Sequence, residues 1–303
     1  MIENKEQGVS ADKVLLDAPF HINWNYTNIC DFNCTHCYSR DNKITNELSS
    51  AQKHLVAKSL AKSHVFSVNL GGGEPLLCND VLENITYLAR NNVHVLLSTN
   101  GWNTSFETTY ALAQAGLGRI ILSLDSANAS RHDAFRNRVG SFDKVIQAAA
   151  LYQQQNIPTS VSTIITSRNF DELEDIIVLA HSLGCSAVEL KRLRLSGNAR
   201  EQTDLLLSSK QEEGLYRQMA QWKRRFPLDI QLVYGTQPVE GIDAGCPCGR
   251  TSLCVLANGD IAPCVYNPRI IGNALVDDID DLWRTSPLLQ DLRRHFVCHG
   301  LEA

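Results

Sequence analysis

Cys30-Asp31-Phe32-Asn33-Cys34-Thr35-His36-Cys37-Tyr38 sets three cysteines at CxxxCxxC spacing directly after an alternating, strand-like run from Phe20 to Tyr26. Cubane iron–sulfur clusters are held by thiolates from closely spaced loop positions, because only a loop bends three sulfurs onto three corners of one cube. Three ligands leave one iron open to a substrate or cofactor, whereas an electron-transfer cluster is normally closed by a fourth cysteine. A zinc site is the other reading of this spacing.

Outward from the loop, helical and strand periodicities alternate. Helix-like Ala51–Ala61 leads to a strand at Val65–Leu70, and Val81–Arg90 to Val93–Ser98. Thr108–Ala115 then leads to Arg119–Leu124, Phe142–Gln154 to Thr159–Ile165, and Asp171–Leu183 to a short strand at Ala187–Leu190. Six strands alternating with helices imply a parallel sheet with right-handed crossovers, either a barrel or a doubly wound sheet. Both folds place the active site at the carboxyl ends of the strands. From about Ser208 a charged amphipathic helix runs through Arg225, followed by a Gly/Cys/Pro-rich segment from Gly241.

The 303 residues suffice for one large domain plus a small one, and 44% hydrophobic content is ordinary for a globular chain. A formal charge of −5 with no long basic run leaves nucleic acid without an electrostatic footprint. The first 13 residues are polar, and no apolar run approaches the ~18 residues of a membrane span, so a cytoplasmic protein with no membrane partner is expected. Ten cysteines in that compartment point to metal ligation rather than disulfides. They cluster at Cys30, Cys34 and Cys37 and again at Cys246, Cys248, Cys254, Cys264 and Cys298. Cys78 and Cys185 stand apart in apolar surroundings, where a small buried hydrophobe is the default.

After the second strand comes Gly71-Gly72-Gly73-Glu74-Pro75. Glycines without Cβ admit close backbone approach to a ligand, and a carboxylate behind them suits an ammonium group. With Tyr38 following the third cysteine, these residues resemble the radical S-adenosylmethionine (radical SAM) family. The resemblance implies a partial (βα)6 TIM-like barrel over residues 17–205, after a tail at 1–16. It implies a [4Fe-4S] cluster on Cys30, Cys34 and Cys37, and SAM bound near Tyr38, with Gly72, Gly73 and Glu74 receiving its amino group.

Ser98 and Asn100 after the third strand, and Ser123 and Asp125 after the fourth, are further candidates for the SAM ribose or carboxylate. For Ser98 and Asn100 a polar turn reads equally well, and Asp125 could cap the next helix. Arg136 matches a family arginine that pairs with the SAM carboxylate, a surface ion pair being the plain alternative. Lys191 to Gly197, after the sixth strand, could face ligand or simply be solvated.

In the carboxyl-terminal group, Asn258-Gly259 signals a two-residue hairpin turn that would set Cys254 and Cys264 across a ladder from each other. The segment Cys248 to Cys264, followed by Ile271-Gly272-Asn273 and Leu282-Trp283, resembles the auxiliary-cluster domain called SPASM, or its shortened form, twitch. It departs from the full pattern, because only Cys298 follows Cys264. The resemblance implies a helical linker and strand at 206–240, then a hairpin-plus-helix domain at 241–303. One auxiliary [4Fe-4S] cluster would sit on Cys248, Cys254, Cys264 and Cys298, with Cys246 a substitute ligand or free thiol; zinc is the alternative.

The implied activity is reductive cleavage of SAM to a 5′-deoxyadenosyl radical that takes a hydrogen atom from substrate, with flavodoxin or ferredoxin as reductant. Maturation of a ribosomally made peptide, by crosslink, thioether or oxidation, is the first reading of the substrate. Oxidation or epimerisation of a sugar, aminocyclitol or nucleoside is the second, with Cys246 or Cys185 as the hydrogen-atom donor. A non-catalytic iron–sulfur electron carrier is the third. About 20 residues precede the first strand, too few for a winged peptide-binding fold, which argues against the peptide reading, although a separate peptide-binding protein could supply that role.

Overall fold

The computed structural model describes residues 16–41, 46–233, 247–267 and 269–295. Seven parallel strands run in chain order: β1 (His21–Thr27), β2 (Ser67–Gly72), β3 (His94–Thr99), β4 (Arg119–Ser123), β5 (Thr159–Ile165), β6 (Ala187–Arg192) and β7 (Asp229–Val233). The helices between them are α1 (Ser50–Lys62), α2 (Val81–Arg90), α3 (Phe106–Gln114), α4 (Ala129–Arg136), α5 (Ser141–Gln154), α6 (Leu173–Ser182) and α7 (Ser209–Arg225). The last part contains β8 (Ser252–Val255), β9 (Asp260–Ala262), β10 (Gly272–Asn273), α8 (Ile279–Thr285) and α9 (Pro287–His295).

The ten strands of the described residues form one open sheet in the order β10-β9-β8-β1-β2-β3-β4-β5-β6-β7. β8 pairs parallel with β1, aligning Asn23 with Cys254, so the carboxyl-terminal hairpin continues the sheet from the edge of the barrel's first strand. At the other edge α7 and β7 carry the βα alternation one unit beyond the sixth strand. Among the described residues no helix is long and apolar enough to cross a membrane.

Side-chain alternation sorts the strands into two faces. Ile22, Val68, Val95, Leu97, Ile120, Leu122, Val161, Val188 and Leu190 are completely buried in the core beneath the helices. The opposite face carries His21, Asn23, Asn25, Asn69, Ser98, Arg119, Ser162, Glu189 and Lys191 toward a central cavity. A hydrogen-bonded chain runs across that face. His21 Nδ1 meets Ser67 Oγ at 2.8 Å and its Nε2 meets Asn23 Oδ1 at 3.3 Å. Asn69 Nδ2 donates to Asn23 Oδ1 at 3.4 Å, and Ser98 Oγ to Asn69 Oδ1 at 3.0 Å. Barrels of this kind usually fill their interior with branched apolar side chains; this one is polar.

Caps account for several boundaries. Ser105 accepts from Thr108 N, starting α3 two residues ahead of its apolar periodicity. α4, absent from the sequence reading, starts at Asn128, whose side chain accepts from Arg131 N. The cap that Asp125 could have supplied, the alternative to a ligand contact, is therefore Asn128's.

The hairpin also differs from expectation. Leu256 N donates to Asp260 O, and Cys254 aligns with Ala262, so the loop is the three residues Ala257 to Gly259, closed by Gly259 at φ +88°. Cys264 lies two residues beyond Cys254's partner, a diagonal neighbour on the same face. Trp283 of α8, fully buried, donates through Nε1 to Leu16 O at 2.6 Å. Arg293 of α9 stacks over Trp283 and donates to Gly249 O, holding the helices against the hairpin's base.

Candidate active site

The cavity, about 460 Å3, opens over the carboxyl ends of the barrel strands. Cys30, Cys34 and Cys37 line one wall and Cys248, Cys254 and Cys264 another. Cys246 and Cys298 lie outside the described residues.

The first cysteine loop is braced from four directions. β1 leads into it, and Gly73 N and Glu74 N donate to Thr27 O and Ile29 O at 2.6 and 2.8 Å. A Cβ on Gly73 would lie 2.1 Å from Ile29 O, so no other residue brings this turn so close. From the α4 side, Phe135 O accepts from Thr35 N at 3.0 Å, and its ring stacks on His36 at 4.6 Å. After β6, Asn198 donates through N to Cys37 O at 3.0 Å and through Nδ2 to Cys34 O at 2.8 Å. Gly197 (φ +57°) sits where a Cβ would be 2.0 Å from Cys37 O. Arg40 closes the loop by donating to Phe32 O. The stretch after the sixth strand, expected to face ligand or solvent, thus partly serves to clamp the cysteines.

Polar donors already surround the sulfurs: Phe32 N to Cys30 Sγ at 3.5 Å, Ser39 Oγ beside Cys37 Sγ at 3.0 Å, and Arg136 Nη1 to Cys34 Sγ at 3.8 Å. Burial pushes the Cys30 thiol up to about 12 and also raises Cys34 and Cys254. Thiolates at these positions therefore require a strong Lewis acid to displace the protons. Among the described residues no three His, Cys, Asp or Glu converge on a single metal ion. A tetrahedral zinc site would draw its sulfurs to about 2.3 Å from one centre.

Glu74 is buried and accepts from Leu76 N, Thr99 Oγ1 and Asn100 N at 3.1, 2.9 and 2.7 Å. Burial nevertheless raises its pKa to about 7. Arg136 is not at the surface: it is buried in an ion pair with buried Asp125, Nε to Oδ2 at 2.6 Å. Burial works to raise Asp125, but the Arg136 guanidinium holds it below the usual carboxylate range. Asp125 also accepts from Ile164 N at 2.8 Å. It does not line the cavity, so it backs Arg136 instead of meeting a ligand directly, whereas Tyr38, Gly72, Gly73, Glu74, Ser98, Asn100, Ser123 and Arg136 all line it.

Cys185 precedes β6, in the apolar core at the amino ends of the strands, and burial lifts its thiol to about 11. It does not line the cavity, which removes it as a hydrogen-atom donor. Cys78 accepts from Lys53 Nζ at 3.6 Å, so it belongs to a buried polar cluster with Lys53 and Asp80 instead of being a plain hydrophobe. Three cavity-lining or loop-clamping residues escaped the sequence reading: His36, Tyr266 and Asn198. His36 sits inside the cysteine motif, and burial, with Arg136 nearby, lowers it to about 3, so it stays neutral.

Loop cysteines over the carboxyl ends of an open parallel barrel, beside a Gly-Gly-Glu turn, define the radical SAM class of enzymes. Residues 24–180 match the family described as the radical SAM superfamily, and residues 246–300 match SPASM, an iron–sulfur cluster-binding domain. The chain belongs to the radical SAM superfamily and carries a SPASM domain. It is similar to the mycofactocin maturase MftC of Mycolicibacterium smegmatis, 31% identical over 97% of this chain and 75% of that one. It is also similar to the AdoMet-dependent heme synthase of Methanosarcina barkeri, 27% identical over 92% and 86%. In fold it resembles Streptococcus suis SuiB bound to its precursor peptide SuiA, with a TM-score of 0.74, 17% identity, and 92% and 67% of the two chains covered. The protein is therefore an enzyme that uses SAM and iron–sulfur clusters.

Proposed function

We propose that this enzyme modifies a peptide by hydrogen-atom abstraction in the cavity between its two cysteine sites. The observation that carries the proposal is that one polar cavity joins both sites. The substrate class is supported by the likeness to a maturase and by the fold shared with an enzyme bound to a precursor peptide.

The donors fit the clusters, since three loop sulfurs on one wall of the cavity, with N–H and O–H donors beside them, suit thiolates on a cubane. Cys30, Cys34 and Cys37 hold the SAM-binding [4Fe-4S] cluster. Cys248, Cys254 and Cys264, with Cys298 or Cys246, hold one auxiliary [4Fe-4S] cluster. When bound, SAM and the first cluster supply a 5′-deoxyadenosyl radical. Gly72 and Gly73 admit the SAM amino group to the backbone, and Glu74 meets it as a carboxylate. Arg136, oriented by Asp125, meets the SAM carboxylate. Ser98, Asn100 and Ser123 are placed for the ribose, and Tyr38 flanks the site. The barrel and the SPASM hairpin together exclude water from the reacting C–H bond.

The residue ranges 17–205, 206–240 and 241–303 serve as core, linker and auxiliary domain. A flavodoxin or ferredoxin in the cytoplasm supplies the electron.

A small-molecule substrate, such as a sugar, aminocyclitol or nucleoside, is the second reading. The hydrogen-bonded polar face from His21 to Ser98 favours it, as does the likeness to an AdoMet-dependent heme synthase.

The test is 5′-deoxyadenosine formation by anoxically reconstituted protein with dithionite, beside a Cys30/Cys34/Cys37 triple alanine variant. SAM cleavage by the wild type alone is expected, and cleavage by neither overturns the radical assignment. Mass shifts are then sought on short peptides and on polyols or nucleosides. Product only from a small molecule overturns the peptide reading.

A further inference from the structure

Tyr38 and Tyr266 lie between the two cysteine sites. Tyr38 follows Cys37 directly, and Tyr266 stands two residues after Cys264. Their ring centroids are 5.5 Å apart with planes inclined at 60°, and both rings line the cavity. A second connection runs beside them. Tyr38 OH donates to Asn25 Oδ1 at 3.0 Å, and Asn25, 2% exposed, stands on β1 two residues past Asn23, the partner of Cys254. The parallel pairing of β1 with β8 creates this link, because it sets Asn23 opposite Cys254 and so brings the next inward residue of β1 past that sulfur. From Cys37 the path runs along the chain to Tyr38, across one ring contact to Tyr266 and back over two peptide units to Cys264, with the Tyr38–Asn25 hydrogen bond leading toward β8 beside it. Electronic coupling decays less steeply through bonds and π systems than through empty space.

We infer that Tyr38, Tyr266 and Asn25 form the electronic bridge between the two iron–sulfur sites, returning one electron per turnover from the auxiliary site to the SAM-binding site. The inference rests on the radical SAM reading above. One electron from the first site cleaves SAM to methionine and the deoxyadenosyl radical, which takes a hydrogen atom from substrate. The substrate radical then loses a proton to solvent and an electron to the auxiliary site, and the bridge carries that electron back. The sum is SAM plus substrate giving methionine, 5′-deoxyadenosine, two-electron-oxidised substrate and a proton, with only the priming electron drawn from an outside reductant.

The experiment uses the reconstituted holoenzyme without SAM or substrate. Photoreduced deazaflavin delivers less than one electron per molecule, and rapid-freeze EPR follows redistribution between the two cluster signals. Tyr38→Leu and Tyr266→Leu, made separately, are expected to slow redistribution by an order of magnitude with iron and sulfide per chain unchanged. Tyr266→Phe, which keeps the ring, should behave as wild type. Tyr38→Phe should be slowed less than Tyr38→Leu, because it loses only the hydrogen bond to Asn25. Wild-type rates in both leucine variants overturn the bridge, and loss of iron from both assigns the pair to cluster assembly instead. With SAM and an accepted substrate, the wild type should yield several products per injected electron and the leucine variants close to one. A wild type that cleaves no SAM but redistributes its electron through the tyrosines refutes the radical reading alone.

Discussion

The two cysteine sites are built on opposite principles. Cys254 stands in β8 and Cys264 just past β9, and backbone ladders to β1 and within the hairpin set their positions. Cys30, Cys34 and Cys37 lie in a loop without a ladder, held by single contacts from the Gly73 turn, from Phe135 and from Asn198. A strand site inherits its geometry from the sheet, whereas a loop site needs a bracket from elements distant in sequence. The return is that a loop can leave one face of its cluster open, where a reactive ligand can bind.

Cysteine substitutions should separate the sites most sharply. Cys34→Ala is expected to abolish 5′-deoxyadenosine formation and remove about half of the roughly eight irons expected for two cubanes. Cys254→Ala should remove the other half yet leave SAM cleavage measurable while product disappears. Equal loss of SAM cleavage in both variants, measured by chromatography, would erase the functional distinction.

The brackets come next. Asp125→Asn leaves the buried Arg136 guanidinium unpaired beside Cys34, and losing one partner of a buried pair costs about 3–5 kcal/mol. Urea unfolding of the apoprotein measures this, and a change below 1 kcal/mol would mean that Arg136 finds other compensation. Glu74 gives a pH signature. Its folded pKa of about 7 exceeds the ordinary carboxyl value of 4.5, so the native state holds the extra proton between them. Apoprotein stability should therefore be fullest below pH 4.5 and decline as pH rises through 7, by roughly 3 kcal/mol. Glu74→Gln should flatten that part of the profile, and an unchanged slope would place its origin elsewhere.

Asn198→Ala should have the smallest effect, about 1–3 kcal/mol for the Cys34 carbonyl that its side chain serves, since the backbone bond to Cys37 O is kept. Its diagnostic is selective: faster loss of iron from the SAM-binding site during dialysis, with the auxiliary EPR signal retained. Uniform loss from both sites would show that the loop is not individually braced.

Much of this was legible in the sequence. The strands at Thr159–Ile165 and the helix at Val81–Arg90 fall where periodicity placed them, since long apolar periods leave little choice of register. The alternation of His21, Asn23 and Asn25 with Ile22, Trp24 and Tyr26 also carried a message that the strand assignment alone did not use. A parallel strand covered on both sides normally reads as a continuous apolar run, so polar alternation announces a polar lumen. α4 was missed because its eight residues contain few apolar positions and depend on the Asn128 cap and the buried Asp125–Arg136 pair.

The sequence by itself determined the βα alternation, the cysteine spacing and the Gly-Gly-Glu turn, because these rest on local periodicity, on the reach of a short loop and on the missing Cβ of glycine. Only the tertiary structure decided that the hairpin loop has three residues, that Arg136 is buried on Asp125, that Asn198 clamps the cysteines, and that β8 joins the edge of β1. Each of these joins residues far apart in the chain, or depends on a one-residue choice of register that local preferences leave nearly balanced. Packing and pairing energies of the whole sheet settle them.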